Sequence, residues 1–432
     1  MVPLVRCSTR RRAVRARRST GALAASFVAV TVALGACTVP GGGAMSSPSS
    51  GPAGSTTTTA SATGTTGPTS TPTVAPVTLT PSVSATDKVP VDTVVSVAAS
   101  GGTVSDVVLT YKDPKKGDVN VEGTLDPNGA KWTAGSLLEP ATIYSLTMSG
   151  RNTAGGEATS HSTFTTQTLS NKQLIYPSIV ADGATVGVAM PVIVRFDVPV
   201  KDKAAFEKKM MVTSTPKQDG AWSWVSSSEA HWRPASYWQA GTKVSVKVDV
   251  NSVAGGDGTY GQISTSGGFT VGQWVVMDAD LGLHQMTVHV DGAVAKTIPI
   301  TGGKAGFESR SGTKVIMEKF STLRMDANTV GIEPGDPNYY DIPDVQFAMR
   351  ETDSGEFLHA APWSVSSQGK ANVSHGCIGM STDDAKWLFG VVKVGDPVVV
   401  TGTARGLEAG NGWTDWNVSY DQWKKGSALA AT

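Results

Sequence analysis

The 432-residue sequence predicts a mainly β protein made of antiparallel sandwiches in series. Three observations carry this. Short apolar runs alternate with period two and are punctuated by turn residues at roughly ten-residue spacing, the pattern of strands with one buried face. The 48 glycines and 23 prolines suit turns and linkers better than long helices, and argue against a helical bundle. A tryptophan with a following strand recurs at an offset of 100 residues: Trp132 precedes Thr142-Ile143-Tyr144-Ser145-Leu146-Thr147, and Trp232 precedes Thr242-Lys243-Val244-Ser245-Val246-Lys247.

Each repeat closes on a similar strand, Phe164-Thr165-Thr166-Gln167 and Phe269-Thr270-Val271-Gly272. Residues 77–168 and 169–271 therefore read as two Ig-like β-sandwich domains. In the first, residues 94–97, 107–111 and 143–148 are expected strands, and Asp126-Pro127-Asn128-Gly129 is a turn. Residues 203–209 carry a short helical insertion at most. His161 and His231 stand isolated, with no acid or thiol at useful spacing. Trp222, Trp224, Trp232 and Trp238 read as core, the alternative being a glycan-stacking surface. The two domains are expected to act as spacers or docking surfaces.

Charge balance conceals an asymmetry. Lys plus Arg equal Asp plus Glu, 36 each, which excludes the basic excess of a nucleic-acid binder. Yet Arg6, Arg10, Arg11, Arg12, Arg15, Arg17 and Arg18 precede residue 37 with no acidic residue among them, and residues 21–36 are uncharged and apolar. This is the layout of an export signal over residues 1–36, a retained membrane anchor being the alternative. Without it, 29 basic residues face 36 acidic ones, near −7. Leu34-Gly35-Ala36-Cys37 resembles the bacterial lipobox, which implies cleavage before Cys37, lipidation of its thiol and attachment to the outer face of the cytoplasmic membrane. The rest of residues 37–76 is almost entirely Gly, Ser, Thr, Pro and Ala, broken only by Val39, Met45 and Val74, and is without charge up to Pro76, a flexible tether.

Residues 272–403 form a third β-rich domain, with strands expected at 274–277, 285–290, 293–300 and 397–401. Asp291-Gly292 is the hairpin turn between the second and third. One helix is expected after Ser381, from a capping-box-like Ser381-Thr382-Asp383-Asp384 and apolar residues at Ala385, Leu388, Phe389 and Val392. Asp278 and Asp280 suggest a turn. His284 and His289 are placed on opposite faces of one strand, a poor metal pair; no metal and no cofactor is expected. Residues 404–432 form a short C-terminal subdomain.

The cysteines point to chemistry. Three cannot build a disulfide framework. With Cys7 lost in the signal and Cys37 lipidated, Cys377 is left as a free thiol in an oxidising compartment, a liability unless buried or used. It lies in Ser374-His375-Gly376-Cys377, and fourteen residues separate Ser374 from His359, at the end of a short strand. A thiol becomes a strong nucleophile when an imidazole takes its proton. His359 is the expected general base and acid, with His375 shaping the pocket. Gly376 lets backbone approach the substrate, so amides near it are oxyanion-hole candidates. With no carboxylate at obvious spacing, a backbone carbonyl such as that of Ala360 is expected to orient His359.

This arrangement resembles the signature of the L,D-transpeptidases of the YkuD type. Met325-Asp326-Ala327-Asn328-Thr329 is similar to the start of their active-site lid, Tyr339-Tyr340 to its far end, and His359-Ala360-Ala361-Pro362-Trp363-Ser364-Val365 to the base segment. Asp415-Trp416-Asn417 and Asp421-Gln422-Trp423 are similar to the C-terminal subdomain of mycobacterial members, which also carry two Ig-like domains. The resemblance implies a β-sandwich catalytic domain in which Cys377 attacks the L,D bond after meso-diaminopimelate of a peptidoglycan tetrapeptide stem. D-alanine leaves, and the side-chain amine of a second stem resolves the thioester into a 3→3 cross-link. It further implies Met325, Tyr339, Tyr340, Trp363, Ser374, His375 and Gly379 as substrate-binding positions, and carbapenems as covalent inhibitors. Gly379 departs from the common pattern, which has asparagine there, and leaves substrate preference and rate open. Two alternatives remain: an L,D-carboxypeptidase, and a wall-binding lipoprotein that has lost activity.

Overall fold

Alternating burial organises the chain into sandwiches, and the computed structural model describes residues 75–430 of it. The expected signal, tether and lipidated Cys37 lie outside the described residues, apart from Ala75 and Pro76. In the first Ig-like domain one sheet orders Thr78–Pro81, Ser96–Ser100, Lys131–Ala134 and Gly123–Leu125, and the other Gly117–Asn120, Gly102–Asp113, Ile143–Asn152 and Glu157–Thr165. Val97, Leu109, Trp132, Tyr144, Leu146 and Phe164 fill the space between them.

The second Ig-like domain repeats this plan. Trp132 pairs with Val97 and Leu125; Trp232 pairs with Val192 and Trp222 in the equivalent strand. In each domain the strand that follows, Ile143–Asn152 or Lys243–Val248, pairs antiparallel with the closing strand. The 100-residue offset is thus one topological unit used twice. Trp222, Trp232 and Trp238 are buried, with Trp224 packed against the same core, and Lys203–Glu207 is the short helix.

In the third domain a five-stranded sheet orders Ala293–Pro299, Gln285–Val290, Val275–Asp280, Pro397–Thr401 and Gly312–Val315. A four-stranded sheet orders Glu318–Asp326, Asp341–Arg350, Phe357–Ala360 and Ile378–Met380. Met277, Met286, Val288, Ile298, Met349, Leu358, Ile378 and Leu388 lie between the sheets and the helix Thr382–Val391. Asp291 and Gly292 both have positive φ, 51° and 81°, as a tight two-residue hairpin turn requires. Ser381 caps the helix by accepting from the Asp384 N–H at 3.1 Å.

The structure corrects several expectations. Asp278 lies inside a strand rather than a turn; Asp280 ends that strand and accepts the Gly282 and Leu283 N–H groups. His284 precedes its strand with φ 54° and contacts Asn372, while His289 pairs with Asp278 at 3.1 Å, so the two do not share a strand. His231 is not isolated. It is buried between Glu229 and Asp415, both at 2.7 Å, and Asp415 is 184 residues away, a separation at which no sequence spacing is informative. Its partner comes from the C-terminal segment, which straps the second Ig-like domain: Arg233 stacks on Trp416 and Trp423, and Trp423 Nε1 donates to Ala221 O at 2.9 Å.

Candidate active site

Parallel pairing of two short strands assembles the site. Phe357–Ala360 is buried throughout and aligns with Ile378–Met380 so that His359 faces Gly379. Side chains alternate along strands, so Cys377, two residues before Gly379, lies on the same face as His359. Both line a cavity of about 290 Å³ with Thr301, Met325, Tyr340, Ile342, Ala361, Trp363, Ser364, Val373, Ser374, His375 and Gly379.

His359 is buried, and its Nδ1 lies 2.7 Å from Ala360 O. A carbonyl only accepts, so Nδ1 carries the proton and Nε2 the basic lone pair. This is the carbonyl orientation the sequence suggested. Burial lowers the His359 pKa below the ordinary imidazole value, with the Ala360 bond opposing. Cys377 is buried too, and its Sγ donates to Gly355 O at 3.7 Å. Burial first, with Glu356 and Glu351 adding, pushes its thiol up to about 12, against the pull of the Phe357 N–H and Lys314. The resting pair is therefore a neutral thiol and a neutral imidazole.

The motif before Cys377 is a turn stitched by one hydroxyl. Ser374 Oγ donates to Cys377 O at 2.6 Å and accepts the Gly376 N–H at 3.2 Å. Ser374 thus shapes the turn before Cys377, and the Gly376 amide is engaged with it, where the sequence expected it in an oxyanion hole. Gly376 has φ 125°, a conformation that other residues rarely adopt. His375 packs between Phe307 and Tyr340, at ring separations of 4.9 and 5.1 Å. Burial and Lys304 lower its pKa, with Asp336 opposing. Burial and Cys377 raise the Tyr340 phenol to about 12, so it remains a hydrogen-bond donor. Trp363 stacks on His359 at 5.8 Å and is half exposed at the rim.

Tyr339 does not reach the cavity; its hydroxyl donates to Asp326 Oδ1 at 3.3 Å. The segment between Met325 and Tyr340 is pinned at its base by Arg324, which donates to both oxygens of Asp341 at 2.8 and 2.6 Å. Lys304 Nζ donates to Asn338 Oδ1 at 2.8 Å and ties this segment to the opposite loop. At Gly379 a Cβ would come within 2.8 Å of Ala361 Cβ and 3.2 Å of Thr301 Cγ2. Neighbouring methyl groups fill the room that a larger side chain would need. Thr301, Ile342 and Val373 were not foreseen, and Ala361 and Ser364 lie in the base segment but were not singled out as lining residues. Thr301 joins through two backbone bonds to Gly379, each 2.9 Å, a contact with no local sequence signal. Among the described residues no cluster of His, Cys, Asp or Glu could hold a metal ion.

Residues 274–400 match the family model of the L,D-transpeptidase catalytic domain, and residues 86–254 match that of a bacterial Ig domain. L,D-transpeptidase 2 of Mycobacterium tuberculosis is 37% identical over 344 residues, covering 79% of this chain and 82% of the relative. The chain belongs to the L,D-transpeptidase family. L,D-transpeptidase 5 of the same species is 34% identical, over 82% of this chain and 77% of the relative. A solved L,D-transpeptidase in complex with imipenem is 38% identical with a TM-score of 0.46, covering 52% of this chain and 97% of the other. The L,D-transpeptidase catalytic domain accordingly occupies residues 274–400, after the Ig-domain match.

Proposed function

We propose that this L,D-transpeptidase forms 3→3 cross-links between meso-diaminopimelate residues of peptidoglycan stems through a thioester on Cys377. The observation that carries the reading is a tautomer-locked imidazole, basic at Nε2, sharing one cavity with the buried thiol. The Cys377 proton passes to His359 Nε2 as Sγ attacks the carbonyl carbon between meso-diaminopimelate and D-alanine. Concerted transfer suits a pair whose resting members are both neutral. The Tyr340 hydroxyl lines the same cavity and donates to the developing oxyanion. His359 then returns its proton to the departing D-alanine amine, leaving the thioester. The side-chain amine of a second stem attacks, gives a proton to His359, and the released thiolate takes it back. Met325, Trp363 and His375 supply the walls that hold the stems, and a carbapenem ring acylates the same thiol. Partners are thus the donor and acceptor stem peptides, and no cofactor enters the chemistry. The Arg-rich start and the lipobox-like segment support export and anchoring through Cys37 to the outer face of the cytoplasmic membrane; Cys37→Ala then releases the protein from the membrane fraction.

The test is incubation of the protein with a disaccharide tetrapeptide and mass analysis of the products. A cross-linked dimer with free D-alanine supports the reading, and tripeptide alone replaces it with an L,D-carboxypeptidase. Absence of both, together with no carbapenem adduct on Cys377, rejects either.

A further inference from the structure

A buried ion cluster that the chemistry above does not use stands directly behind the nucleophile turn. Lys314 is fully buried and donates from Nζ to Glu356 Oε2 at 2.6 Å and Glu351 Oε2 at 3.1 Å. Arg310 Nη1 donates to Glu356 Oε1 at 2.7 Å. The Glu356 side chain lies against Gly376, where a Cβ would sit 3.5 Å from both its Cγ and Oε1. The residue before it, Gly355, supplies the carbonyl that accepts from the Cys377 thiol. Ser309 Oγ fixes the same turn by donating to Gly376 O at 2.6 Å.

Stability does not explain such a cluster. Desolvation offsets most of what buried ion pairs contribute, and apolar residues of similar volume commonly do as well. Glu351 Oε1 has no hydrogen-bond partner among the described residues. Its placement is what distinguishes it: a carboxylate paired with two cations, Lys314 and Arg310, faces the turn that carries the thiol.

We propose that Glu356 is a positioning residue whose negative charge keeps Cys377 in the unreactive thiol form in the resting enzyme, and that Lys314 limits that effect. Thiolates, not thiols, are oxidised and alkylated, so an exported enzyme with an unpaired cysteine gains protection until substrate arrives. The proposal rests on Cys377 as the nucleophile. Burial, then Glu356 and Glu351, raise the thiol, and Lys314 lowers it. Burial works against the Lys314 charge, but the two carboxylates outweigh it and keep the ammonium charged. His359 and Tyr340 are the other titratable groups lining the cavity with Cys377, together with His375.

The experiment follows alkylation of Cys377 by iodoacetamide against pH in the full chain, read by mass spectrometry. Glu356→Gln is expected to move the profile to lower pH and raise the rate at pH 8 several-fold; Lys314→Met is expected to move it to higher pH. A purely structural role would loosen the turn and speed both variants. Acceleration in both, reversed signs, or no movement in either overturns the proposal. Should one single variant fail to fold, Lys314→Met with Glu356→Leu removes one charge of each sign. Its profile should still move to lower pH, because the carboxylate abuts the turn; an unmoved or raised profile overturns the proposal. Cys377→Ala must abolish labelling. Turnover persisting in that variant would reject the nucleophile reading instead, while the alkylation profiles would still decide the role of Glu356.

Discussion

Replacing Cys377 by alanine removes one sulfur from a buried site and leaves the turn bonds of Ser374 in place. Turnover should vanish while stability changes by less than about 1 kcal/mol, checked by product assay and thermal melting. His359 predicts a pH profile. Its folded pKa lies below the ordinary value, so the basic form persists until pH falls below about 6.5, and kcat/KM should drop only beneath that point. An acidic limb above 6.5 would contradict the neutral resting pair. Gly379 is constrained by its neighbours rather than by its backbone. Gly379→Asn should destabilise by about 1–3 kcal/mol through overpacking against Ala361 and Thr301. Combining it with Ala361→Gly should recover part of the loss, read as a non-additive change in Tm.

At the scale of elements, the helix Thr382–Val391 covers the sheet that holds His359, and its entry depends on Ser381. Ser381→Ala removes a side-chain acceptor from the Asp384 N–H, an N-cap loss of about 1 kcal/mol. Thermal melting checks this, and turnover at low temperature should be retained because Ser381 is outside the cavity. The strands Phe357–Ala360 and Ile378–Met380 are short, four and three residues, and the second lies at the sheet edge, so its alignment relies on pairing with the first and on the Thr301 bridge to Gly379.

Across the whole molecule, the second Ig-like domain and the catalytic domain share one core, in which Val276, Val315 and Trp413 pack with Trp232 and Trp238. The carboxyl of Asp396, raised by burial to about 7, accepts the Val188 N–H across that boundary. The first domain reaches the second through polar contacts such as Ser252 Oγ to Leu138 O at 2.6 Å and Asn251 Nδ2 to Glu139 Oε1 at 2.8 Å. Calorimetry should therefore show the second and third domains unfolding together and the first separately. The C-terminal strap adds a pH dependence. Burial opposes the His231 charge, but Asp415 and Glu229 raise its pKa to about 9. A raised folded pKa stabilises fully below the unfolded value of about 6.5 and is lost as pH rises through about 9. Protection factors of amides around Trp416, corrected for the intrinsic rise of exchange with pH, should fall over that window. His231→Ala leaves Asp415 buried without its cation and should cost about 3–5 kcal/mol.

Local pattern by itself determined much of this enzyme. Alternation and turn residues place most strands, because a strand with one buried face must alternate wherever it occurs in a chain. The Asp291-Gly292 turn and the Ser381 cap were legible because their hydrogen bonds close within a few residues. His359, Cys377 and the Ala360 carbonyl were legible because a motif records chemistry directly. Tertiary structure alone decided what depends on distance along the chain: Thr301 against Gly379, Asp415 against His231, and Lys314 and Glu356 behind Gly376. A buried charge finds its partner by proximity in space, and no periodicity in sequence encodes that. Tyr339 shows the same limit at one residue, since two adjacent tyrosines at a strand start must point to opposite sides and only packing selects which one faces the thiol.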